Sequence, residues 1–415
     1  MIRSPAHNLR RECLLTAACL SALIFSIPPS KAAEPRVADS SASSSASSTH
    51  FEFVDNRVLL PVFVNGEGPF EFILDTGAGD GSSITLDLFN RLHFEKEGKS
   101  EVTGAGADTE SVLETHATSL KFASYELGPI PLMAFSMKAM TDAIGFSELD
   151  GILGDALFDR FVVTLDFDQQ IITLRDPRDY EPPPGSVVIP FEIYNHIVPA
   201  CEGLVDGRKA RLLIDLGDRS SFTLFKPFWK KYAYQYHRSV IRAMTGIGIG
   251  GPIYGLVTRV HTVTIGGADV KQPLTRLVLQ KPSAINDHVI DGSVGTGILK
   301  KFVVSFDYPH RRMILAPGKE RNLLDTYDRS GVWIGHVGAE LQVLDVTHGG
   351  AAQAIDMRVG DSIVAIDGVA AGSIFLPDVR ARFSDPHTES ADIVVMRAGR
   401  QMVKKLPMRD LVPLR

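Results

Sequence analysis

The chain has 415 residues, 44% of them hydrophobic and 22% charged, with a formal net charge of -6. That length suits two or three domains with full hydrophobic cores. An acidic balance leaves no basic excess to neutralise a phosphate backbone, which excludes nucleic acid as a partner class.

The N-terminus carries Arg3, Arg10 and Arg11, an apolar stretch from Cys13 to Ile27, and small residues around Ala32 and Ala33. This is the plan of a secretory signal over 1–33, its apolar part too short for a spanning helix. Export to the periplasm is expected, with membrane anchoring or secretion as alternatives. Cys13 and Cys19 leave with the signal, so Cys201 remains alone and the mature chain can form no internal disulfide. The serine-rich run that follows, within 34–50, reads as a low-complexity linker.

From Phe51 onward, short β-branched and aromatic runs alternate with Gly, Pro and Asn turn signals, an all-β pattern. Asn65-Gly66 and Asp206-Gly207 each separate two such runs and predict hairpins. Three landmarks recur at one offset. Asp75-Thr76-Gly77 and Asp215-Leu216-Gly217 lie 140 residues apart, "VTGAG" at Val102 and "MTGIG" near Met244 lie 142 apart, and "DGILGD" at Asp150 and "DGSVGT" at Asp291 lie 141 apart. The chain is therefore read as two copies of one β lobe, 51–180 and 181–318, joined through Pro182 to Pro184.

The central puzzle is Asp75, a carboxylate delivered by the apolar strand "FIL" to a turn containing Gly77. A buried carboxylate is costly without a partner. Thr76 offers a hydroxyl to hold its neighbour, and Gly151 to Gly154 places Ile152 and Leu153 between glycines suited to close passage behind that turn. The combination of D-T-G-A, a glycine-rich hairpin and I-L-G-D resembles the retropepsin-like aspartic peptidases, over both lobes. The resemblance implies a mainly β fold: two retropepsin-like (acid protease) β-barrel lobes forming a pseudo-dimer, followed by a smaller C-terminal domain. It implies that Asp75 and Asp215 are the catalytic pair sharing a proton, supported by Thr76, Gly77, Gly217, Ile152, Leu153 and Gly154. It also implies two flaps over an extended polypeptide substrate, one with Gly104 and Gly106, the other with Gly246, Gly248, Gly250 and Tyr254.

Lobe two departs from this pattern. Leu216 replaces the hydroxyl residue, Ser293-Val294-Gly295 replaces Ile152-Leu153-Gly154, and Asp218 adds a negative charge beside the pair. These changes predict a less rigid dyad with a raised upper pKa. They leave open a catalytically degenerate peptide-binding scaffold, or a protease formed by lobe one of two chains.

The tail, 328–415, predicts a strand, a Gly-Gly turn into a short helix, a strand closed by Asp367-Gly368, a helix with Pro377 in its first turn, and a hairpin at Ala398-Gly399. The run "VTHGGAA…VGDSIVAIDG" resembles a PDZ α+β domain. That resemblance implies that Gly331, Val332, Trp333 and Ile334 form a loop for the C-terminal carboxylate of a peptide partner. The alternative is a packing module for lobe two.

Elsewhere the sequence is bland. His93, His116, His196, His261 and His310 lack metal-ligand spacing, no H-E-x-x-H or G-x-S-x-G motif occurs, and neither a metal nor a cofactor is expected. Trp229 with Phe225, Phe228, Tyr232 and Tyr234 reads as core packing after the second Asp loop.

Overall fold

The computed structural model of the chain describes residues 46–79, 81–103, 109–146, 148–195, 197–236, 240–248, 251–279 and 288–414. The expected signal and most of the expected linker lie outside the described residues, as do Gly104, Gly106, Gly250 and His196.

The predicted hairpin turns form for the predicted reason. Asn65 and Gly66 have φ of 52° and 84°, and Asp206 and Gly207 have 49° and 76°. Two successive left-handed residues match the twist of the flanking strands, and Asn, Asp and Gly adopt that conformation most readily. Each turn joins two eight-residue strands, Arg57–Val64 to Glu67–Leu74 in lobe one and Val198–Val205 to Arg208–Asp215 in lobe two.

Those hairpins sit within two ten-stranded sheets, each an ordered row of nine strands with a tenth beside it, Glu52–Val54 on Arg57–Val64 and Glu192–Tyr194 on Val198–Val205. In lobe one the order is Gly98–Thr103, Thr109–Ala117, Ile130–Phe135, Ser83–Thr85, Leu149–Leu153, Glu67–Leu74, Arg57–Val64, Leu120–Phe122 and Tyr125–Leu127. Lobe two repeats it strand for strand, from Ile241–Gly248 and Gly251–Arg259 through Leu274–Val278, Phe222–Leu224, Gly292–Gly295 and Arg208–Asp215 to Val198–Val205, Thr262–Ile265 and Ala268–Lys271. Identical strand order is what a duplicated lobe requires. The fold is mainly β, with tandem retropepsin-like lobes.

A third sheet joins the lobes. Its order is Ser47–His50, Ile171–Arg175, Val162–Asp166, Phe302–Asp307, Arg312–Pro317 and Val187–Pro190. At its centre Thr164 pairs antiparallel with Ser305, its repeat equivalent, and their hydroxyls lie 2.8 Å apart. This pair marks the pseudo-twofold axis. Ser47–His50 is a correction to the expected tether: the last residues of 34–50 supply an edge strand of this sheet. A single buried core runs through both lobes, and Phe158 of lobe one packs on Phe306 and Tyr308 of lobe two at 5.4 and 5.1 Å. Phe228 and Trp229, on the helix Lys226–Lys231, join that core.

The C-terminal domain has its own core and a separate sheet, ordered Val332–Val337, Glu340–Val346, Ser362–Ile366, Ser390–Arg397 and Arg400–Pro407, with Val369–Ala370 beside Ser362–Ile366. The helices Ala351–Ala354 and Leu376–Ser384 fall where the sequence places them. This domain packs on both lobes. Arg380 reaches Asp55 at 3.2 Å and the Ile144 carbonyl at 2.7 Å, and Asp345 accepts the Met244 N–H at 2.9 Å.

Candidate active site

Each Asp loop closes over the strand that threads behind it. In lobe one the Asp75 N–H donates to the Leu153 carbonyl at 2.9 Å, and the Gly154 N–H donates to Ser82 Oγ at 3.0 Å. A side chain at Gly154 would collide with the Gly79 carbonyl, which is why the position is glycine. In lobe two Asp215 pairs with Gly295, and the Thr296 N–H donates to the Asp218 carbonyl at 2.8 Å. Ser293-Val294-Gly295 thus occupies the place of Ile152-Leu153-Gly154 despite its different composition.

The two loops meet at the pseudo-twofold, where a side-chain carbon at Gly77 would stand between Asp215 Oδ1 and Asp75 Oδ1, at 2.9 and 3.0 Å. The Gly77 N–H donates to Asp75 Oδ1 at 2.7 Å. The N–H groups of Gly217 and Asp218 donate to Asp215 Oδ1 at 2.9 and 3.0 Å. The glycines also face across the axis. A side-chain carbon at Gly77 would lie 2.9 Å from Asp215 Oδ1, and one at Gly217 would overlap the Asp75 carboxylate. Glycine here is a condition for bringing the two acids together.

Burial pushes both carboxyls above the usual range. It is the largest effect on Asp75 and on Asp215, and for Asp215 the neighbouring charges of Asp75 and Asp218 raise it further. Two carboxylates this close do not both ionise readily, so the pair retains a proton to a pH at which isolated carboxyls have lost theirs.

Hydroxyl bracing of the pair is one-sided. Thr76 Oγ1 donates to the Ile214 carbonyl at 2.9 Å and accepts the Leu216 N–H at 3.0 Å, linking lobe one to lobe two. Leu216 is fully buried and returns no such bond. The expectation of a less rigid dyad is offset by a residue that sequence reading passed over. Thr296 Oγ1 donates to the Leu216 carbonyl at 2.9 Å, on the same peptide unit whose Gly217 N–H meets Asp215. Its repeat equivalent is Asp155, so the alignment held the position but not the hydroxyl chemistry.

The charge of Asp218 raises Asp215, as its place beside the pair predicts, but that charge is itself held in an ion pair. Burial pushes its carboxyl up, but Arg276 at 2.9 Å and hydrogen bonds from Ser220 and Thr223 outweigh that and hold it below the usual range. A buried Asp–Arg pair of this kind keeps both partners ionised and weakens the field of Asp218 on the dyad. Lobe one has apolar residues in the matching places: Ala78 in the Asp loop, and Met133, which pairs with Ser83 as Arg276 pairs with Thr223. Ala78, Met133 and Ile152 pack in one apolar cluster with Val102 and Val112 of the lobe-one hairpin.

Of the expected flap residues, Gly246 and Gly248 lie in the strand Ile241–Gly248, and Tyr254 pairs with Met244 from the returning strand. A side-chain carbon at Gly246 would stand 3.8 Å from Arg276 Nη1, so this hairpin rises directly over the Asp218–Arg276 pair. The lobe-one hairpin is formed by Gly98–Thr103 and Thr109–Ala117.

Of Gly331 to Ile334, the first two have their backbone N–H groups committed within their own loop. The Gly331 N–H donates to Asp328 Oδ1 at 2.7 Å, and the Val332 N–H donates to Ser330 Oγ at 3.1 Å.

With this geometry in place, the comparisons are informative. Residues 60–155 match the family model for aspartyl protease, a span that runs from the strand before Asp75 to the residue after Gly154. Lobe two, outside that match, repeats the strand order of lobe one. Among solved structures, the aspartic proteinase from Irpex lacteus is similar at 11% identity and a TM-score of 0.42, covering 66% of this chain and 98% of that one. No curated protein matches the chain.

Proposed function

We propose that the chain is an aspartic endopeptidase whose two acids, Asp75 and Asp215, act within one molecule. The observation that carries this reading is the facing pair of acids, with each carboxylate set against the opposite lobe's glycine. An ionised carboxylate beside a protonated one is suited to splitting water across a peptide bond. The ionised acid takes a proton from a water held between the two, and the water oxygen adds to the scissile carbonyl carbon. The protonated acid donates a hydrogen bond to the carbonyl oxygen. The tetrahedral adduct then collapses as a proton passes to the amide nitrogen, the C–N bond breaks, and a carboxylic acid and an amine leave.

The substrate in this reading is an extended polypeptide lying between the two hairpins. Its lobe-one side meets the apolar Ala78, Met133 and Ile152, and its lobe-two side meets Asp218 and Arg276. The C-terminal domain serves as a PDZ-like docking module, and the protein acts outside the cytoplasm once 1–33 has been removed.

A statine-type inhibitor, whose hydroxyl replaces the attacked carbonyl, tests the single-chain arrangement. Titration of the mature protein should give one inhibitor per chain with an affinity independent of protein concentration. One inhibitor per two chains, or an affinity that rises with protein concentration, would instead favour pairing between lobe-one copies.

A further inference from the structure

The turn between the strands Glu52–Val54 and Arg57–Val64 is made by Asp55 and Asn56, with φ of 48° and 58°. Asp and Asn tolerate two successive left-handed positions better than most residues. The turn reaches across to lobe two, where Asn56 Nδ2 donates to the Arg219 carbonyl at 2.8 Å. Asp55, only 6% exposed, receives three arginines, one from each part of the chain. They are Arg57 of lobe one at 2.9 Å, Arg219 of lobe two, and Arg380 of the C-terminal domain at 3.2 Å.

The charges of this node do not balance. One carboxylate faces three guanidiniums, which are 11%, 28% and 17% exposed. The next anions do not make up the difference. Asp218 acts on Arg57 but is already paired with Arg276, and Asp328 acts on Arg380 while its own Oδ1 accepts Ser330 Oγ and the Gly331 N–H. Positive charge held in excess away from water is costly unless an anion joins it. The crowding registers on Arg380, which burial and the neighbouring Arg219 and Arg57 push down to about 10 against the pull of Asp55.

Donors are in excess as well. Asp55 has both oxygens engaged, Oδ1 by Arg219 and Oδ2 by Arg57 and Arg380, and the Ile144 carbonyl accepts Arg380 at 2.7 Å. Arg219 Nε and Trp333 Nε1 are buried with no acceptor among the described residues, although buried donors are normally satisfied. Both side chains line a cavity of about 10 Å³, together with Asp55, Arg57, Arg380 and Gly246. That is room for about one water-sized sphere.

These limits select an occupant. Water brings hydrogens to donate, and the Asp55 carboxylate is already spent. Sulfate, phosphate and carboxylate bring charge but too many heavy atoms for the space. A cation meets like charge. A monatomic anion accepts from every donor, donates to none, and offsets the positive excess.

We propose that this cavity is a halide site, in which one chloride takes the donors of Arg219 and Trp333 and ties lobe one, lobe two and the C-terminal domain together. The site needs nothing from the peptidase reading. An ion bound only by the folded chain stabilises it with the logarithm of the ion's concentration.

Bromide, a halide of similar size that quenches tryptophan on contact, is the probe. The chain has two tryptophans, so Trp229→Phe leaves Trp333 as the sole emitter. In that background, with ionic strength held constant by sodium gluconate, bromide should quench the emission saturably and chloride should reverse the quenching. Arg219→Met should weaken bromide binding at least tenfold. Quenching that only rises linearly with bromide, that chloride does not relieve, or that persists in full in Arg219→Met overturns the site. The unaltered chain supplies a measurement that holds even where a variant fails to fold. Its crystals grown in sodium bromide should carry an anomalous-scattering peak within hydrogen-bond reach of Arg219 Nε, and no peak there overturns the site. The urea midpoint of the unaltered chain should also be higher in sodium chloride than in sodium gluconate of equal ionic strength. A peak without that rise marks an adventitious ion only and overturns the tether.

Discussion

Thr76 holds Leu216 across the pseudo-twofold axis, its Oγ1 accepting the Leu216 N–H at 3.0 Å while donating to the Ile214 carbonyl at 2.9 Å. Because Leu216 has no hydroxyl to return, cross-lobe hydroxyl bracing of the acid pair runs through this one side chain. The pair is assembled from two near-equal lobes but supported unequally.

Thr76→Val should therefore be expensive for its size. It strands two buried backbone groups, each worth roughly 1–3 kcal/mol when unsatisfied. Denaturant midpoints should fall, and hydrolysis should drop at least tenfold. Leu216→Thr, which supplies the second brace, should leave stability unchanged or raise it.

Thr296 should act on chemistry more than on folding. Its hydroxyl polarises the peptide unit whose N–H stabilises the ionised form of Asp215. Thr296→Val weakens that donor, which favours the protonated acid and moves the dyad's pH limits upward. The expected outcome is a fall in kcat at little cost in KM, an upward-shifted pH–rate profile, and recovery in Thr296→Ser. A loss of stability with an unmoved profile would mark a purely structural residue.

Asp328 gives the fold a pH dependence of definite sign. Burial pushes its carboxyl up to about 6, against an ordinary value of 3.8. The folded state then holds the proton more tightly than the unfolded state, so this contribution to stability is complete below pH 4 and is lost as pH rises through 6. The loss is on the order of 3 kcal/mol. Asp328→Asn keeps the acceptor for Ser330 and Gly331 but cannot ionise, and should flatten the stability profile between pH 4 and 7 in urea titrations.

The Asp218–Arg276 pair should show the asymmetry of a buried ion pair. Arg276→Met leaves Asp218 buried and uncompensated, at a cost of about 3–5 kcal/mol. The double variant Asp218→Ala with Arg276→Met gives lobe two the residues that lobe one carries at Ala78 and Met133, and should recover most of that loss. It also removes a negative charge near Asp215, so the upper limb of its pH–rate profile should move down.

Much of this arrangement was legible in the sequence. Asn65-Gly66 and Asp206-Gly207 announced the central hairpins because their turn geometry is local, and the repeat at offsets of 140–142 residues implied one lobe copied twice. Local turns and a duplicated pattern are properties a single chain displays without folding. What escaped the reading depends on contacts made only in three dimensions. Thr296 and Arg276 look ordinary in sequence, and they matter because the strand behind the loop carries one to Leu216 and the neighbouring strand carries the other to Asp218. Asp55 is likewise unremarkable until Arg57, Arg219 and Arg380 converge on it. The edge strand Ser47–His50 was hidden by composition, since serine is a weak strand former that here completes a sheet begun elsewhere.

The most direct test of the central claim is hydrolysis of an unfolded protein such as casein by the purified mature chain from pH 3 to 8, beside Asp75→Asn and Asp215→Asn. Two acids sharing one proton predict fragments from the unaltered chain and loss of at least a thousandfold in either variant, with folding intact. Undiminished hydrolysis in the Asp215→Asn variant would contradict the single-chain dyad.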